Sequence, residues 1–128
     1  MTLSKIALLI TLSTLASLAM AGEIKPFSQQ DFDKLTADGK SVVVDVSAPW
    51  CPTCKAQKPI IDGLMQQPAY KDVTILTLDF DTNKPTLKTF KVTSQSTLLA
   101  FKGTKEVARS VGDTSTNGIE GLVKKTLN

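Results

Sequence analysis

Cys51 and Cys54 are the only cysteines among 128 residues, and just Pro52 and Thr53 separate them. Two cysteines at this spacing close a small disulfide only where the backbone between them curls tightly, as in the first turn of a helix. Pro52 suits such a turn, because proline is favoured at the first helical position, where its missing N–H costs nothing. Cys51 is then the N-cap, with its sulfur beside the unpaired amides of the first turn, that of Cys54 among them. Partial positive charge at a helix N-terminus stabilises a thiolate. Cys51 is therefore expected to be the more acidic, exposed and nucleophilic sulfur, and Cys54 the more buried one. The chemistry is thiol–disulfide exchange: Cys51 attacks a substrate disulfide, and Cys54 resolves the mixed disulfide.

A modest shift is enough for that task. A thiol with pKa ~8.5 is ~3% ionised at pH 7, whereas one at ~7 is about half ionised. Intrinsic nucleophilicity falls with pKa and returns a factor of roughly 4–6, which leaves a net rate gain and a better leaving group. The competing chemistry for a cysteine pair is structural zinc, which takes four Cys or His ligands. With two cysteines and no histidine, a zinc site of that kind is excluded within one chain. Metal shared between two chains stays open.

Cys54 has to lose its proton in a poorly solvated place, so a base nearby is useful. Asp45 is the candidate, since it interrupts a valine run, Val42 to Val46, in which desolvation raises a carboxyl pKa. The alternative is an aspartate near a strand end that simply meets water. Ser41 to Ser47 reads as a buried strand entering the motif, and residues 52–67 read as a helix leaving it, kinked at Pro59. Ile60, Ile61, Leu64 and Met65 form its apolar face. Before them, Glu23 to Phe27 is a lead-in or edge strand. A helix capped by Ser28 then runs to about Ala37 and stops at Asp38-Gly39. After them come a strand (Val73 to Phe80), a short helix (Lys84 to Phe90) and a hairpin (Thr97 to Phe101 with Glu106 to Val111). A last helix is capped by Ser115.

Residues 1–21 have the pattern of an export signal: Lys5, an apolar stretch from Ile6 to Leu18, and the cleavage pattern Ala19-Met20-Ala21. The stretch is short for a membrane span and is broken by Thr11, Ser13, Thr14 and Ser17. Residues 22–128 then form one domain of 107 residues with net charge +2. Its scattered basic residues argue against nucleic acid as a partner. No membrane span remains after signal removal, and a monomer is expected. A domain this size buries a core without staples, so the cysteines are read as chemistry rather than scaffold.

The β-α-β-α-β-β-α order, with the cysteine pair where a buried strand meets a helix, resembles the thioredoxin family over essentially the whole mature chain. Asp45, Trp50-Cys51-Pro52-Thr53-Cys54, Pro59, Asp81-x-Asn83, the Thr97 to Lys102 strand and Val111-Gly112 recur at compatible spacing. The resemblance implies an α/β thioredoxin fold, with a central mixed sheet of four to five strands flanked by helices. It implies a redox-active disulfide with no further cofactor and no metal, protein thiol or disulfide substrates, and a membrane or periplasmic protein as electron donor. It assigns Cys51 and Cys54 as the catalytic pair with Asp45 as proton acceptor. Trp50, Pro52, Thr53, Gln95, Ser96 and Thr97 are the candidate substrate contacts, Trp50 being read first as a packing lid beside the disulfide.

The Pro-Thr dipeptide matches exported thioredoxin-like reductants of cytochrome c maturation, although the insertion typical of that group is absent. Two departures stand out. Ser96 replaces the family's cis-proline before the Thr97 strand, so a trans peptide and a reshaped loop are expected. Thr77 stands where many members carry a lysine facing the aspartate, so Asp45 is expected to lack a cationic neighbour. The reading is a periplasmic or secreted thiol–disulfide oxidoreductase that reduces protein disulfides. The alternatives are an oxidase or isomerase of disulfides, a non-catalytic binding or chaperone-like module, and a metal-bridged dimer.

Overall fold

The computed structural model describes residues 21–128. The expected export signal, residues 1–21, lies outside the described residues apart from Ala21.

Five strands form one mixed sheet in the order β1-β3-β2-β4-β5. The valine run becomes β2 (Ser41–Ser47), paired parallel to β3 (Val73–Asp79) and antiparallel to β4 (Thr97–Lys102). The lead-in proves to be a four-residue edge strand, β1 (Glu23–Pro26), parallel to β3. The other edge is β5 (Lys105–Val111), paired antiparallel to β4 with an irregularity at Ala100/Phe101. β2 is central, and both of its faces are covered by helices, which explains its uninterrupted β-branched sequence.

Side chains alternate across a strand, and this sorts the core into two layers. Val43, Ile75, Leu98 and Ala100 face helices α2 (Pro52–Met65) and α4 (Thr116–Lys125), where they meet Ile61, Leu64, Ile119 and Leu122. Val42, Val44, Val46, Leu76 and Leu99 face α1 (Gln29–Ala37) and α3 (Lys84–Thr89). There Phe27, Phe32, Phe90 and Phe101 pack largely edge to face, at centroid separations of 5.0–6.0 Å.

Helices α1 and α4 begin at the serines that their sequences mark. Ser28 accepts the Asp31 amide at 3.0 Å, and Ser115 accepts the Gly118 amide at 3.1 Å. Gly39, at φ +73°, turns the chain out of α1. Helix α2 ends at Met65, two residues earlier than expected, and a 3-10 turn, Pro68–Tyr70, follows. Pro59 lies inside α2, where its ring removes one backbone bond. Among the described residues, no helix is long and apolar enough to cross a membrane.

Candidate active site

The site lies where β2 ends and α2 begins. Cys51 is the N-cap of α2 and Pro52 its first residue. The Cys51 sulfur accepts the Cys54 amide at 3.1 Å, so the expected cap is formed by sulfur itself. Cys51 and Cys54 are joined as a disulfide, with Cα atoms 5.3 Å apart.

The relative burial of the two cysteines is the reverse of the expectation. Cys51 is 1% exposed and Cys54 8%. Cys54 borders an open pocket that Cys51 does not line, and the loop opposite meets both sulfurs. Ser96 is itself 3% exposed and places its hydroxyl 3.1 Å from the Cys51 sulfur and 3.0 Å from that of Cys54. No cis peptide occurs among the described residues, and Ser96 takes φ +60°. Its amide donates to the Val46 carbonyl at 2.8 Å, and its carbonyl accepts the Gly112 amide at 2.9 Å. Thr97 is buried at the start of β4 and donates its hydroxyl to the Ser94 carbonyl at 2.7 Å. Gln95 is partly exposed beside it.

Trp50 is not a lid over the disulfide. Its ring is 56% exposed, and its indole N–H donates to the Asp81 carboxylate at 2.7 Å. The aromatic group packed against Ala48, Cys51 and Cys54 is Phe80. Pro52 is exposed and Thr53 partly so, both in the first turn of α2.

Alternation along β2 places Asp45 on the same face as Val43, toward α2. Asp45 and Cys54 line one cavity of about 500 Å³, whose wall includes Ile24, Lys58, Ile61 and Asp62. Burial pushes the Asp45 carboxyl up from 3.8 to about 6, with the Lys58 charge opposing the rise and Asp62 adding to it. Asp45 thus has a cationic neighbour after all. It comes from α2 rather than from β3, where Thr77 stands. The i,i+4 series Cys54, Lys58, Asp62 was the signal in the sequence, because these residues share one helix face.

Gln57 is a second residue the sequence reading passed over. It is 1% exposed, and its side-chain N–H₂ donates to the Asp113 carbonyl at 2.8 Å and to the Ser96 carbonyl at 3.4 Å. Its position three residues after Cys54, polar on an apolar helix face, was the available clue. Among the described residues, no group of three Cys, His, Asp or Glu side chains gathers as a metal site.

A disulfide capping a helix, a half-buried carboxyl behind it and a loop across it define a protein built for thiol–disulfide exchange. The Thioredoxin family profile matches residues 23–125. The thioredoxin of Chlamydia muridarum is 40% identical over 98 residues, which cover 77% of this chain and 93% of that protein. Thioredoxin-2 of Saccharomyces cerevisiae is 40% identical over 86 residues, 66% of this chain and 81% of that one. Among solved structures, Trxlp from Edwardsiella tarda EIB202 superposes with a TM-score of 0.74 at 40% identity, covering 80% of this chain and 98% of its own. The chain belongs to the thioredoxin family. It is a thiol–disulfide oxidoreductase, and members of this family work through the redox-active disulfide without a further cofactor.

Proposed function

We propose that this protein reduces protein disulfides in the periplasm, with Cys51 as nucleophile, Cys54 as resolving thiol and Asp45 as proton acceptor. The observation that carries the reading is the cavity shared by Asp45 and Cys54, with the carboxyl raised to about 6. Above that pH the carboxylate is mostly ionised, yet still basic enough to take a thiol proton. The Cys51 thiolate attacks one sulfur of a substrate disulfide, forming a mixed disulfide and expelling the other sulfur as thiolate. Cys54 passes its proton toward Asp45 and attacks the Cys51 sulfur, which closes the ring disulfide and expels the second substrate sulfur. Two electrons and, in the end, two protons move from the enzyme to the substrate. A membrane or periplasmic protein must then restore the dithiol.

Export is supported by the Lys5, Ile6 to Leu18 and Ala19-Met20-Ala21 pattern. The exposed Trp50 ring, with Pro52, Thr53 and Gln95, forms the substrate-facing surface in this reading. A second reading draws on the cover of Ser96 over Cys51: a binding module whose disulfide stays oxidised and inert. Insulin reduction separates them. The reductase reading expects turnover that Cys51→Ser abolishes and a potential near about −270 mV. Absence of turnover, or a potential near about −120 mV, overturns it.

A further inference from the structure

Ser96 is the feature that the mechanism above leaves without a task. Its hydroxyl lies within 3.1 Å of both redox sulfurs, although 45 and 42 residues separate it from them in the chain. Its backbone is held on both sides, by Val46 at the amide and by Gly112 and Gln57 at the carbonyl. That frame keeps a residue with a Cβ at φ +60°, a conformation it ordinarily avoids. Strain maintained by three backbone-directed bonds, with a lone hydroxyl aimed at the reacting atoms, points to chemistry rather than to packing.

We propose that Ser96 is a catalytic residue whose hydroxyl donates its hydrogen to the sulfur that carries negative charge during exchange. A disulfide sulfur is a weak acceptor, whereas a thiolate takes a charge-assisted bond of roughly twice the strength of a neutral one. The bond therefore strengthens on reduction and favours the dithiol form. When Cys51 attacks, its electron pair enters the new S–S bond and the hydroxyl is released. When Cys54 ionises, rotation about one bond turns the same hydrogen to it. The proton stays on the serine oxygen throughout, and electrons pass only between sulfurs. Proline, which the family resemblance places here, has no donor to offer. This inference rests on the exchange chemistry proposed above.

The test uses the full chain with Ser96→Ala and Ser96→Gly. Glycine accepts φ +60° without penalty, so Ser96→Gly removes the hydroxyl while leaving the loop path intact. Two readouts follow the reacting sulfur: thiolate absorbance of the reduced protein against pH, and the equilibrium with glutathione. Both variants are expected to lose about tenfold in thiolate at a given pH below the transition. Both should shift the glutathione equilibrium about tenfold toward the disulfide, which corresponds to about 30 mV more negative. Unchanged titration and equilibrium in Ser96→Gly overturn the inference, and so do changes confined to Ser96→Ala. Slower insulin reduction with an unaltered titration also overturns it, because the residue would then act only on docking. If the wild-type chain fails to reduce insulin while its thiolate still depends on Ser96, the reductase reading falls and this inference stands.

Discussion

Among the described residues, Asp45 is the one carboxyl that folding raises far toward neutrality, and replacing it by asparagine removes it. In the folded protein it titrates near 6 rather than 3.8, because burial disfavours the charged form. Between those values the folded chain keeps a proton that the unfolded chain has released, so stability falls as pH rises through this window. The interval, at 1.36 kcal/mol per pH unit, amounts to about 3 kcal/mol by pH 7. Asp45→Asn has no charge to bury and escapes that cost. Urea denaturation at pH 7.5 should find the variant more stable by up to about 3 kcal/mol, and the gain should vanish at pH 3.5. If Asp45 takes the Cys54 proton as proposed, insulin reduction should slow at the same time. Equal stability of both proteins at pH 7.5, or an equal gain at both pH values, would refute the placement of an ionisable carboxyl in a desolvated cavity.

Other variants probe the surroundings of the site. Lys58→Met removes the cation that opposes the rise at Asp45, so the lower limb of the pH–activity profile should move to higher pH. An unmoved limb would show that this charge does not reach the carboxyl. Gln57→Leu abolishes the bond to the Asp113 carbonyl but also eliminates a buried side-chain oxygen that has no partner. The net loss should be only about 1 kcal/mol in chemical denaturation. Gly22→Ala sets a Cβ 2.7 Å from the Tyr70 carbonyl oxygen and 2.6 Å from the Met65 sulfur, so a thermal melt should register a loss of about 1–3 kcal/mol.

The parts of the fold that the sequence announces are those where local chemistry leaves few choices. Ser28, Cys51 and Ser115 each mark a helix start, and each supplies the capping atom. Five consecutive residues, Val42 to Val46, marked the central strand because only burial on both faces tolerates such a run. β1 was harder to read, being four residues at an edge with a proline at its end. The site was legible where it rests on spacing along the chain, as with Cys51, Cys54 and the carboxyl behind them. It was misread where it depends on what crosses over from elsewhere. The hydroxyl that meets both sulfurs belongs to Ser96, on a loop more than 40 residues away. The ring against the disulfide is Phe80 rather than the adjacent Trp50, because the end of β3 reaches the cysteines while the indole turns outward to Asp81.

The two outer strands carry a further consequence. β1 is short, contains Lys25 and ends at Pro26, which has no amide to offer. β5 presents Lys105, Glu106 and Arg109, and its ladder slips beside Ala100 and Phe101. Both borders of the sheet thus bear features that discourage another chain from adding a strand. Blunted in this way, the folded domain offers an aggregating chain no ready template at either border.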